Sequence, residues 1–373
     1  MATVSQPELN PASSSTAACS PRVSRLAFLD WTRGLAAVIM LQGHVFHAFA
    51  RGDLRTQDAF ILSQFVGGMP PAIFLFLTGV TLAFLMESNE RKGMAGRERV
   101  WNSMRRAGYL FALAIAFRVQ LWIFGMPQAD YSALFRVDIL NCMGFGIAAV
   151  SVMALFTTLE RVRLCAILGL AIAGVSPLIA SLDMSGVHPF LRAYFVPGAE
   201  SFSFFPWGAF LAFGLSAGSV LRLTPGGELK QAMQWGAWLG LVLVIAAQYF
   251  SNLPYSLYPK SDFWIDSPGL VLIKLGIVLM LLAFAYLWNT YMVTGWSWVR
   301  QLGTTSLLVY WVHTELVYGR WFGAWQQGLS TAAVVVVSAI VIGLMLGLSV
   351  MSTRWPQIKE AIWPGSTALP EAD

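Results

Sequence analysis

Residues 268–288 read PGLVLIKLGIVLMLLAFAYLW, a run in which Lys274 is the one charged side chain. Wound as an α-helix at 1.5 Å per residue, such a run is about 30 Å long, the thickness of a bilayer's hydrocarbon core. Outward from it in both directions, runs of the same kind recur near 33–50, 63–86, 107–124, 139–159, 163–181, 202–221, 233–250, 302–320 and 331–351. One buried soluble core does not produce that repetition. With 57% of 373 residues hydrophobic and 12% charged, the chain also carries about half the charge of an average soluble domain. The sequence therefore predicts an all-α fold: a polytopic integral membrane bundle of about ten transmembrane helices.

That domain is expected over residues 22–354. Residues 1–21, rich in Ser, Ala and Pro and without an apolar h-region, read as a disordered cytoplasmic tail in which Cys19 is no lipoprotein cleavage site. Residues 355–373 read as a cytoplasmic C-terminal tail. Three cysteines, two of them inside apolar spans, give neither a disulfide framework nor a CxxC metal pattern, so no metal is expected. The net charge of +5 is spread between spans and reads as a topology signal; nucleic acid is excluded as a partner, and membrane lipids are expected. Counting Lys and Arg in alternate connections gives 16 against six, with Arg118 and Lys274 inside spans. Basic flanks stay on the cytoplasmic side, which puts both termini there in a plasma or inner membrane.

Ionisable side chains at membrane depth are costly and mark functional interiors by default. Span 1 carries Asp30, Arg33, His44 and His47, span 3 Arg118, span 8 Lys274, and span 9 Tyr310 and His313. His44 lies 10 residues beyond Gly34, Arg118 lies 11 beyond Ala107 and His313 lies 11 beyond Leu302, all about 15 Å deep by helical rise. Asp30, Arg33, His44 and His47 fall on one stripe of span 1, and Ser306, Tyr310 and His313 on one face of span 9. Plainer readings stand beside these. Asp30 can cap the first helix, His47 is interfacial, His188 is a solvated loop residue, and Arg118 and Lys274 are structural partners for carboxylates or carbonyls, Lys274 being able to snorkel outward.

The stretch Arg25-Leu26-Ala27-Phe28-Leu29-Asp30-Trp31-Thr32-Arg33-Gly34, followed by His44, resembles the first span of the membrane acyltransferase superfamily. That group comprises the acyltransferase-3 and heparan-alpha-glucosaminide N-acetyltransferase-like proteins. Pro70 to Gly79, Arg105-Arg106, Arg136-Val137-Asp138-Ile139-Leu140, Leu302 to Leu307 and Tyr310-Trp311-Val312-His313 are similar to further family segments, so the likeness runs from about residue 22 to 320. No R-x-R stands in span 3, only Arg105-Arg106 and then Arg118.

The resemblance implies an acyltransferase that moves an acyl group, acetyl above all, from a cytoplasmic CoA thioester to a saccharide or other small hydroxyl or amine acceptor at the extracytoplasmic side. Proton removal from the acceptor suits an imidazole, so His44, with His313 as the next candidate, is the expected base, and Arg118 the expected oxyanion or pantetheine partner. Asp30 and Arg33 are expected at the donor entrance, with Arg105, Arg106 and Tyr310 among the donor contacts; the basic connection from Arg91 to Arg106 is a landing site for CoA phosphates or a simple positive flank. A secondary transporter competes with this reading, since it too places ionisable residues at the midplane and interrupts spans, as at Gly67-Gly68-Met69-Pro70-Pro71. A non-catalytic scaffold is the third.

Overall fold

The computed structural model describes residues 26–126, 130–198, 201–255, 257–293 and 295–362, the last seven of these by backbone alone. Cys19 and both expected tails' outer parts lie outside the described residues. Among the described residues there is no strand, only the isolated bridges Ala50–Leu329 and Gly198–Ser201. The helices are α1 (Ala27–Phe49), α2 (Asp58–Gly67), α3 (Pro70–Arg91), α4 (Gly96–Gly125), α5 (Ile139–Val150), α6 (Thr158–Ser181) and α7 (Pro189–Phe195). They continue with α8 (Phe204–Leu223), α9 (Leu229–Ser251), α10 (Pro268–Tyr291), α11 (Trp298–Thr304), α12 (Ser306–Tyr318) and α13 (Thr331–Ile362).

Eight segments of the described residues are long and apolar enough to cross a membrane: Asp58–Arg91, Gly96–Gly125, Tyr131–Leu155, Thr158–Ser181, Phe204–Leu223, Gly226–Ser251, Pro268–Tyr291 and Thr331–Trp355. Helix α1, 23 residues long, has the length, while Asp30, Arg33, Gln42, His44 and His47 lower its hydropathy. The α11–α12 pair completes ten crossings. The surface confirms the solvent: Trp238, Val242 and Ile245 of α9 are 62%, 58% and 60% exposed, an arrangement stable against hydrocarbon and costly against water.

Three predicted spans are not single helices. The run near 63–86 is α2 and α3, broken where Gly68 closes one helix and Pro70 opens the next; proline lacks the N–H that a continuous helix needs there. The run near 139–159 is α5 continued by a 3-10 turn, Ser151–Leu155. The run near 302–320 starts earlier, at Trp298, and breaks at Thr305 (φ −118°, ψ 21°). Hydroxyls take over from the interrupted ladder: the Thr304 and Ser349 hydroxyls both donate to the Gln301 carbonyl (2.7 and 3.0 Å), and the Thr305 and Ser349 hydroxyls lie 2.6 Å apart. Such satisfaction is what lets non-helical backbone sit at membrane depth. At its far end α13 runs past residue 355 to Ile362.

Close packing between crossings relies on small residues, as membrane helices do when hydrophobic exclusion gives no drive between them. A Cβ on Gly34 would land on the Val299 carbonyl oxygen, and one on Gly303 would land on that of Asp30, so the backbones of α1 and α11 touch. Gly79 and Gly214 bring α3 and α8 together in the same way. The α1–α11 apposition fixes the longitudinal register of α1 against the α11–α12 pair. A second buried cluster, including Leu41, Val45, Phe49, Leu302, Val309, Val317, Val334 and Val341, then seals α1, α12 and α13 around the deeper half of that contact.

Candidate active site

Helix α12 buries Val309, His313 and Val317, one face at i, i+4 and i+8. His313 is fully buried and meets half-buried His44 of α1: His44 Nδ1 and His313 Nε2 lie 2.8 Å apart. The ring planes differ by 18° with centroids 5.1 Å apart, so the imidazoles meet edge to edge, nearly coplanar. His313 Nδ1 lies 2.7 Å from the Val309 carbonyl oxygen. Two residues placed at equal depth by their distances from Gly34 and Leu302 are thus one hydrogen-bonded pair.

Each end of the pair carries a tyrosine. Tyr310 packs on His313 with centroids 5.9 Å apart. Tyr318 meets the His44 ring edge-on at 5.4 Å and His47 at 6.3 Å. His47 and Tyr318 are exposed at the outer end of the site.

Tyr310 also lines a cavity of about 640 Å³ together with Arg33, Thr78, Arg106, Tyr109 and the broken segment Gly303–Leu308, a size typical of cofactor sites. Neither histidine lines it; it ends one ring short of them, at Tyr310. Arg33 and Arg106 lie within electrostatic reach of each other across it. Asp30 does not cap α1, whose N-cap is Leu26; its carboxylate holds Arg33 at 2.8 Å. Two guanidinium groups against one carboxylate leave a positive cavity, and the first turn of α12, at Ser306 to Leu308, opens into it with the amides that a helix start leaves unpaired. Arg105 is exposed and stands outside that lining.

Arg118 shares the level of the histidines and faces elsewhere. Its Nε lies 3.1 Å from Asp138 Oδ2, both groups being largely buried. Asp138 meanwhile caps α5, its Oδ1 accepting from the amides of Leu140 and Asn141 (3.0 and 3.1 Å), and Tyr194 donates to the Asn141 side chain (3.0 Å). Arg118 therefore serves a structural network, which remains within electrostatic reach of Tyr310. Lys274 is the structural partner of a carbonyl, as expected, but points inward and does not snorkel: it donates to the Gly68 carbonyl at 3.2 Å and sits 4.9 Å from the Trp207 ring centre, tying α10 to the α2–α3 break. His188 is exposed and caps α7.

Sequence reasoning missed three features. Asp138 stands in a quoted segment, and a capping position, Asp before an apolar helix start, was its signal. The α11–α12 break was signalled by Gly303-Thr304-Thr305-Ser306, four poor helix formers in a row. Arg161, in the short connection between the runs near 139–159 and 163–181, is fully buried and bonds Phe156 O, Glu90 and Thr158 (2.6, 2.9 and 2.6 Å); no local pattern announces that.

Eight segments long and apolar enough to cross a membrane, with α1 and the α11–α12 pair between them bringing two histidines together beside a basic cavity, define a multi-pass membrane protein. Residues 25–255 match the family described as heparan-alpha-glucosaminide N-acetyltransferase, catalytic, and the chain belongs to that family. Membership places it among acetyltransferases. The match includes α1 with His44 and ends before α12 with His313. Comparison with curated proteins gives no match.

Proposed function

We propose that this protein transfers an acetyl group from cytoplasmic acetyl-CoA to an amine or hydroxyl of a saccharide, or a related small acceptor, presented at the extracytoplasmic side of a plasma or inner membrane. The carrying observation is the His44–His313 pair, which the Tyr310 ring separates from the basic cavity at one end and which Tyr318 and exposed His47 flank at the other. In this reading His44 takes the acceptor's proton as its nitrogen or oxygen attacks the thioester carbonyl. The C–S bond then breaks, and the proton passes to the departing thiolate of CoA. An imidazole suits this exchange because it gains and loses a proton near neutral pH. The family's named substrate supports a glucosaminide amine as acceptor; an acceptor hydroxyl would use the same proton transfer. No metal enters this reading.

Donor phosphates are assigned to Arg33, Arg106 and the first turn of α12, where guanidinium groups and helix amides converge. Arg33→Ala and Arg106→Ala should each raise KM for acetyl-CoA about tenfold or more, the effect of losing one charge-assisted hydrogen bond, and leave kcat nearly unchanged. Steady-state assays with radiolabelled acetyl-CoA in detergent decide it; a fall in kcat at constant KM would move both arginines out of donor binding.

Orientation rests on the basic bias of the connections. Leu257, 95% exposed between α9 and α10, is expected outside. A Leu257→Cys protein in intact cells should react with an impermeant maleimide while Cys19 stays unlabelled until lysis; the reverse pattern inverts the topology and puts the donor cavity on the wrong side. The broken helices α2–α3 and α11–α12 also suit a transporter. Transfer or hydrolysis of acetyl-CoA by purified protein separates the two, since a transporter predicts neither.

A further inference from the structure

One carbonyl-to-ring distance and one ring-to-ring distance fix which nitrogen of each imidazole carries the proton. An uncharged imidazole has one N–H donor and one lone-pair acceptor. The Val309 carbonyl oxygen, 2.7 Å from His313 Nδ1, only accepts, so a lone pair on Nδ1 would face another at close range. Nδ1 of His313 therefore carries its proton, and its Nε2 carries the lone pair. That Nε2 lies 2.8 Å from His44 Nδ1, which must then be the donor. One proton on His44 Nδ1 leaves the lone pair on His44 Nε2. The order of donation is His44 Nδ1–H to His313 Nε2, and His313 Nδ1–H to the backbone of its own helix one turn back.

We propose that His313 is a positioning residue that holds His44 in the Nδ1–H tautomer, so that His44 Nε2 is the proton-accepting atom of acetyl transfer. This rests on the reading of His44 as the base and narrows it to one atom. It also gives His313 a role different from a second base: its lone pair is used by His44 and its proton by Val309. When His44 Nε2 takes the acceptor's proton, both ring nitrogens of His44 carry hydrogen, and the Nδ1–H still has an uncharged acceptor facing it. The relation is that of an orienting group to a catalytic imidazole, with an imidazole in place of a carboxylate. The main-chain carbonyl makes the orientation independent of any titrating partner: helix α12 itself supplies the acceptor, because His313 stands four residues after Val309.

The test is ¹⁵N NMR of the full-length protein in detergent, labelled at histidine. The chain has four histidines, and single substitutions of His47, His188 and His44 assign all four. The expected spectrum at neutral pH shows His44 protonated at Nδ1 and bare at Nε2, with His313 in the same tautomer. In His313→Leu, His44 should shift to the Nε2–H tautomer, and kcat should fall at least about tenfold with KM for acetyl-CoA unchanged, the pattern of a lost orienting group. His313→Gln, whose side-chain oxygen can accept where Nε2 did, should recover most of both. A wild-type His44 protonated at Nε2 overturns the proposal, and so does a His313→Leu protein with wild-type kcat. If His313→Leu does not fold, the wild-type spectrum decides alone. Failure of the base reading would look different: an active His44→Ala protein alongside an intact Nδ1–H tautomer.

Discussion

His44→Ala should lower kcat for acetyl transfer by about 100- to 10,000-fold, the range that a positioned general base contributes. KM for acetyl-CoA should remain near wild type, because the cavity that takes the donor is lined by Arg33, Arg106 and Tyr310 and not by His44. Loss in kcat and kcat/KM by equal factors identifies a group acting only in the transition state. The substitution leaves one buried acceptor, His313 Nε2, without its donor, so membrane insertion should be unchanged while stability falls by about 1 to 3 kcal/mol. Measured rates within threefold of wild type in a folded His44→Ala protein would take this histidine out of the mechanism.

Gly303→Ala should cost stability and activity together. The added methyl meets the Asp30 carbonyl oxygen, a backbone atom with no rotamer to change, so α1 and α11 must separate. Overpacking of this kind costs about 1 to 3 kcal/mol, occasionally more. Separation also slides or tilts α1 against α12, and a misplacement near 1 Å in a reacting group is associated with about a 100-fold loss in rate. Thermal inactivation in detergent and initial rates measure the two effects. Gly236→Ala is the control, since nothing lies within 4 Å of its new methyl. A Gly303→Ala protein with the wild-type midpoint and rate would show that this contact does not set the site's geometry.

The crossings were legible because hydrocarbon imposes length and apolarity residue by residue, and the common level of His44 and His313 followed from counting along each helix. Rotation was harder. Arg118 lies at the counted depth, yet its side chain turns to Asp138, a partner supplied by the next crossing; depth is a one-dimensional property of a helix, while facing depends on neighbours that a sequence does not order in space. The same limit hid Arg161, whose partners include Glu90, 71 residues away. Breaks in helices fell between these cases. Pro70-Pro71 marked the first, whereas the Thr304-Thr305 break depends on Ser349, donated by a different helix.

The two imidazoles are separated by 269 positions in the chain. During synthesis at roughly 5 to 20 residues per second, α1 therefore waits on the order of tens of seconds in the membrane before α12 is made. Throughout that interval the backbone groove at Gly34 has no occupant and His44 has no neighbour to orient it. A nascent chain halted just before its ninth span carries eight of the ten spans of the finished protein and no paired histidines. Formation of the histidine pair is thus tied to the arrival of α12, late in the making of the bundle.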